Sequence, residues 1–208
     1  MDIYEEWLTT SEVESYFAWL KPRLLELISK VQDKYKQNTG IEKMTHDQKQ
    51  LEKLNEDILT YLGFNRSRQR LDIAAHPFSS WFTNQDLRLT TRYESQFQNT
   101  LFGTIHEFGH SLYDMQCSDM LQATPIAWWQ SLVIHESQSR FWENCVGRSI
   151  SFLNLFYDRF VWLHDDFAWF SQDDFYNYIN HIEPNLIRVD ADEIHYHIHI
   201  LIRYEIEK

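Results

Sequence analysis

Apolar positions along this chain recur mostly at helical spacing. Phe17, Leu20, Leu24, Leu25, Leu27, Ile28 and Val31 predict a long amphipathic helix over 10–37, capped by Thr10 or Ser11. "KQNTG" at 36–40 breaks it. A second helix is predicted over 44–64, with Thr45 as cap, Gln48 in its third helical position and Gly63 as its stop. The next stretch is polar and interrupted by Pro77. Within it "DLRLTTR", 86–92, alternates apolar and polar residues, which predicts a short edge strand. From Glu94 the helical period returns, with Phe97, Leu101, Ile105, Phe108 and Leu112 on a buried face. A strong helix follows over 127–149 and resumes after a break in the aromatic-rich "SFLNLFYDRFVWLHDDFAWF". "SQDDFYNYINHI", 171–182, is capped by Ser171 and ends at Pro184. The final "DADEIHYHIHILIRYEIEK" favours helix.

Composition sharpens this pattern. Only 5 glycines and 4 prolines stand among 208 residues, which suits long helices with few turns. Hydrophobic residues at 43% and aromatics at 16% are too many for disorder, so the expectation is one mainly α domain over 1–208. A formal net charge of −12 argues against a nucleic-acid partner, because gripping phosphates needs the opposite sign. Two cysteines, Cys117 and Cys145, are too few for a disulfide scaffold. The acidic N-terminus has neither the basic nor the apolar region of a signal peptide, and no apolar run reaches the roughly eighteen residues of a membrane span. A cytoplasmic, reducing setting without a membrane partner is the expectation.

The chemistry concentrates in "GTIHEFGHSLY". On a helix, His106 and His110 project from one face a turn apart, a spacing that brings two imidazoles to one zinc ion. Glu107 sits beside the first and can serve as general base toward a water at the metal. Gly109 would let another backbone approach closely. A third ligand is needed, and Glu136 in "VIHESQSRFWEN" is the best candidate, on a helix that a hairpin can fold back. Its rival is His135; neighbours point about 100° apart on a helix, so the two do not share one ion. Ser139, Arg140 and Glu143 continue the polar stripe and can support the ligands. The stripe also reads as a plain solvated face. "HYHIH" (His195, His197, His199) invites a second metal site, but ordinary polar packing is the better reading.

Five segments in fixed order then carry a resemblance. His76-Pro77-Phe78, Asp86-Leu87-Arg88-Leu89-Thr90, His106 to His110, His135-Glu136-Ser137-Gln138, and Ile187-Arg188 to Ala191-Asp192 match HPF, DxRxT, HExxH, HES(G)Q and IRxxAD. In these the chain resembles the Taq-type thermostable metallocarboxypeptidases, zinc peptidases that trim peptides from the C-terminus. The resemblance implies a helical gluzincin-like core, usually dimeric, with a deep groove. It implies one Zn²⁺ held by His106, His110 and Glu136, with Glu107 as the base; Co²⁺ or Mn²⁺ would also suit this donor set. Peptide C-termini are the implied partners, and a homodimer the implied assembly.

The resemblance further suggests Arg188 as receptor of the substrate's terminal carboxylate. A planar guanidinium suits that task independently, while an ion pair with Asp190 or Asp192 is the competing reading. His76 and Arg88 could shape the substrate site, and Pro77 fixes a turn. The family's further signature GxxQDxHW and its usual N-terminal helical region are not found in this sequence, so the chain resembles a truncated central part of the family enzyme. A catalytically impaired, metal-binding remnant is therefore the alternative. Bare apolar surface would be expected over Phe152–Phe170 and in "HILIRYEIEK".

Overall fold

The structure is a computed structural model that describes residues 5–31, 40–41, 44–94, 96–127 and 131–208. The end of the predicted 10–37 helix, most of its break, and Trp128 to Gln130 lie outside these. Where the sequence suggests one domain, the contacts group the chain into two compact units, Met1–Thr39 with Asn177–Lys208, and Gly40–Tyr176. Among the described residues the fold is mainly α, with seven α-helices and one three-stranded sheet. No helix among them is long and apolar enough to cross a membrane.

The first unit is built on α1 (Thr10–Val31) and α7 (Glu193–Glu207). Thr9, not Thr10 or Ser11, closes the start of α1: Glu12 N donates to Thr9 Oγ1 at 3.3 Å, and Thr9 N to the Glu12 carboxylate at 2.9 Å. Phe17 meets Tyr204 edge-on at 4.7 Å and Lys21 pairs with Glu205 at 2.6 Å, which fastens α1 to α7. Asp192 caps α7 by accepting from Ile194 N and His195 N.

The second unit carries the chemistry. In α2 (Gln48–Tyr61) the capping box uses Asp47 and Gln50 rather than Thr45 and Gln48. Gly63 stops the helix as expected, at a φ of 96° that a side chain would resist. The predicted edge strand is present but central. The sheet runs β1 (Gln69–Ile73), β3 (Asp86–Thr91), β2 (Phe78–Thr83), so "DLRLTTR" is flanked on both sides. β1 lies parallel to β3, with Gln69 opposite Leu87; β2 is antiparallel, with Phe78 opposite Thr90. Sequence pattern misses β1 because "QRLDI" is short and half polar. It misses β2 because Pro77 reads as an interruption, whereas a proline is tolerated just before a strand.

One face of β3 (Leu87, Leu89, Thr91) is buried beneath α3 (Phe97–Asp114). α3 also packs against α4 (Leu132–Arg140) and a π-helical segment Phe141–Gly147, and α5 (Ile150–Leu163) packs on α2. The expectation of bare surface over Phe152–Phe170 fails at four of its phenylalanines and holds at other positions in the stretch. Phe152, Phe156, Phe160 and Phe167 are buried, and Phe160 and Phe167 cluster with Phe97 and Phe175 at ring separations of 5.1 to 6.4 Å. Leu155, Trp162 and Trp169 remain exposed, as do Ile202 and Ile206 of α7.

Candidate metal centre

Helix α3 is held on several sides. Of the predicted face, Phe97, Leu101, Ile105 and Phe108 are buried, with Phe102 beside them, while Leu112 is half-buried. Thr100, Thr104 and Ser111 are buried too, and no apolar period announces them. They carry polar anchors: Asn55 donates to Thr104 Oγ1 at 2.9 Å, Thr91 and Thr104 hydroxyls meet at 2.6 Å, and Gln69 donates to Ser111 Oγ at 2.6 Å. Each buried hydroxyl thus has a partner, which avoids the 1–3 kcal/mol or so of an orphaned polar group. α3 is pinned to α2 and the sheet, and its remaining face presents Gly103, His106, Glu107 and His110.

That face meets α4 at Gly109. A Cβ there would stand 2.8 Å from Ser139 Cα, 3.0 Å from Gln138 O and 3.2 Å from Trp142 Cβ. Only glycine admits such proximity without moving backbone. The close crossing brings Glu136 Oε2 to 3.3 Å from His110 Nε2 and 3.6 Å from His106 Nε2. The three donor atoms all lie within 4.8 Å of one another. Two imidazole nitrogens and one carboxylate oxygen, gathered on three sides of one point, could hold a divalent cation and leave further positions open.

The neighbours orient these groups. His106 Nδ1 donates to Glu143 Oε2 at 2.8 Å, so its Nε2 faces Glu136. Arg140 spans both carboxylates, with Nε donating to Glu136 Oε1 at 3.3 Å and Nη1 to Glu143 Oε2 at 3.1 Å. Ser139 Oγ donates to Glu136 O at 2.7 Å. His135 does not compete for the cluster: its Nε2 donates to Asp114 Oδ1 at 3.0 Å, and its ring stacks on His110 at 4.4 Å. Asp114 gave no signal in the sequence beyond lying one turn past His110.

Charge separates the two carboxylates on the cluster. Burial would raise the Glu136 pKa, but hydrogen bonds from His106 and His110 outweigh it and hold the group below the usual carboxylate range. Glu107 is only 8% exposed, and burial pushes it up to about 7. Burial works to lower His106 as well, yet Glu136 and Glu143 overcome it and raise the ring to about 9. His110 is lowered, chiefly by burial.

The other expected site residues are engaged in contacts of their own. Arg88 points from the sheet face opposite the buried Leu87 and Leu89, makes a bidentate pair with Asp86 at 2.9 Å, and lies over the Phe82 ring. His76 is exposed in the turn before β2, where Thr90 Oγ1 donates to its carbonyl at 3.1 Å. Its neighbour Pro77 rests against Gly103, one turn before Glu107 on α3. Arg188 belongs to the first unit, where it donates to Tyr196 Oη and lies over that ring at 5.2 Å. Among the described residues it makes no ion pair with Asp190 or Asp192.

Residues 1–208 match the family described as carboxypeptidase Taq (M32) metallopeptidase. The chain belongs to this family. It is 41% identical to thermostable carboxypeptidase 1 of Pyrococcus furiosus over 212 residues, and 37% identical to carboxypeptidase 1 of Bacillus subtilis over 211 residues. Each match covers 100% of this chain and 42% of the relative, so the chain spans less than half the length of these Taq-type carboxypeptidases. The solved apo-Mg structure of the Pyrococcus furiosus carboxypeptidase superposes on 99% of this chain with a TM-score of 0.94 and 41% identity, covering 42% of that chain. The HExxH helix and its partner therefore sit in a metallopeptidase fold.

Proposed function

We propose that this chain carries the catalytic centre of a zinc-dependent metallocarboxypeptidase that releases amino acids from peptide C-termini. The observation that carries the reading is the convergence of His106, His110 and Glu136 on one point, with the buried carboxyl of Glu107 beside the first ligand. The donor set suits zinc, with room for a substrate atom. Bound there, zinc would supply Lewis acidity, polarising the scissile carbonyl and acidifying the attacking water.

The chain's own residues do the rest. Glu107 accepts a proton from the attacking water at its carboxylate and returns it to the leaving amine nitrogen. A carboxyl raised to about 7 by burial is close to the operating pH, which favours both halves of that transfer. A cation beside it draws the group toward its ionised, proton-accepting form. Glu136 keeps its charge for binding because Arg140 and the two imidazoles favour the anion. A guanidinium such as that of Arg188 suits the substrate's terminal carboxylate, and the turn at His76 would form one wall of the substrate site. The free thiols of Cys117 and Cys145 support a reducing, cytoplasmic setting.

A chain that binds metal without turnover is the competing reading, favoured by its 42% coverage of its relatives. A peptide assay with added zinc separates the two. Free C-terminal amino acids should accumulate with the wild-type chain, and Glu107→Gln should lose about 10²-fold or more of that rate while retaining its zinc. No release from either protein, with zinc bound to both, would leave only the metal-binding reading.

A further inference from the structure

The two imidazoles of the cluster are supported in different ways, and one support has no role yet. His110 Nδ1 is buried with no hydrogen-bond partner among the described residues, and its ring is steadied by the stack on His135. His106 Nδ1 instead meets Glu143, a carboxylate with 13% of its side chain accessible and further held by Arg140 at 3.1 Å and Arg148 at 3.6 Å. Arg148 is itself seated over the Phe102 ring at 4.3 Å. Among the described residues Glu143 makes no other ion pair or hydrogen bond with the cluster, and a largely shielded charge with two guanidinium partners is costly to assemble without purpose.

The backbone under Glu143 is unusual as well. α4 changes to π-helical winding at Phe141, directly after Arg140 and before Glu143. In an unbroken α-helix Glu143 would lie about two turns beyond Glu136 and nearly in line with it. The wider π turn rotates it off that line. Glu136 and Glu143 then approach His106 from different sides, one at Nε2 and the other at Nδ1. π-winding is rare and tends to occur where function demands a side chain out of register.

We propose that Glu143 is the positioning residue of the metal centre: placed by the π-helical segment Phe141–Gly147 and clamped by Arg140 and Arg148, it fixes His106 with its proton on Nδ1 and its Nε2 free to bind metal. The proposal rests on the reading that His106, His110 and Glu136 hold the metal. A carboxylate behind a ligand imidazole sets its tautomer and raises its basicity, an effect worth about 10- to 100-fold in metal affinity.

Two measurements test it. Zinc affinity is measured by chelator competition for wild type, Glu143→Gln and Glu143→Ala, with circular dichroism to confirm that each variant is folded. Zinc should bind wild type with one-to-one stoichiometry, and Glu143→Gln should weaken it by about 10-fold or more. The second readout needs no variant of Glu143. In the zinc-loaded wild type, proton–nitrogen correlation NMR should show a slowly exchanging proton on His106 Nδ1, assigned by its loss in His106→Gln. Unchanged zinc affinity in Glu143→Gln, or a His106 that bears its proton on Nε2, overturns the proposal alone. A wild type that binds no zinc overturns the metal reading and the proposal with it.

Discussion

Two helical segments meet at the cluster and are built on opposite principles. α3 is regular, buried on most sides, and pinned by Asn55, Thr91 and Gln69 to the elements behind it. The α4–π segment is short, changes winding at Phe141, exposes Leu132, Val133 and Ile134, and leaves Glu136 with 46% of its side chain accessible. α3 supplies groups whose value is their fixed position: two imidazoles and a buried carboxyl. The other segment supplies charge, and its arginine and serine neighbours steer that charge onto the imidazoles. The difference teaches that the rigid partner sets where the cluster is, and the irregular partner sets how its donors are aimed.

The largest expected effect attacks the rigid partner. His110→Ala removes a donor that no nearby group can replace, because His135 is engaged by Asp114. Zinc content after dialysis should fall from one equivalent to none; retention of a full equivalent would show that α3 does not define the centre.

The crossing between the segments gives the next test. Gly109→Ala would drive a Cβ to 2.8 Å from the Ser139 backbone, so the helices must separate. Overpacking of this kind costs about 1–3 kcal/mol, and it should also weaken zinc binding by moving Glu136. Gly103→Ala is the contrast on the same helix: its Cβ would meet only Pro77 Cγ at an ordinary 3.8 Å. It should be neutral or stabilising by up to about 1 kcal/mol. Chemical denaturation of both variants checks the pair, and equal stability changes would contradict the close crossing.

The same division governs what could be read from the amino-acid order. The α3 side was legible because His106 and His110 follow a fixed helical period with Glu107 between them, and Gly109 announced a close neighbour. Glu136 was legible as an acid on the polar stripe of a second patterned helix, beside its rival His135. The winding change at Phe141 was not legible, because "FWENCVG" has nothing that distinguishes it from an α-helical run. The strands β1 and β2 escaped for a similar reason: their pairing with β3 is non-local, and neither carries a full alternation of its own. Thr104 and Ser111 were invisible because small hydroxyls mark no face until a partner such as Asn55 or Gln69 arrives from elsewhere.

Acidity offers a graded test. His106 is raised from its ordinary 6.5 to about 9 by Glu136 and Glu143, which overcome its burial. A basic group raised on folding stabilises the chain fully below its unfolded value, and that contribution is lost as pH rises through the folded one. With a chelator present, stability should therefore decline between about pH 6.5 and 9. The decline should be blunted in Glu143→Gln, and zinc should bind more tightly as pH climbs through the same window, since it displaces the His106 proton. Flat stability over that window would deny the charged contacts.

The smallest effect lies away from the cluster. Thr90→Val removes the hydroxyl that donates to the His76 carbonyl. It should cost about 1 kcal/mol in denaturation and leave zinc affinity unchanged, which would mark the turn as support for the sheet rather than for the metal.

The central claim is that His106, His110 and Glu136 form one zinc centre. Anomalous diffraction at the zinc edge from crystals of the zinc-loaded chain tests it most directly. The account predicts one strong peak about 2.0–2.2 Å from His106 Nε2, His110 Nε2 and a Glu136 oxygen. A peak elsewhere, for example at His195 and His199, or a centre from which Glu136 is turned away, would contradict it.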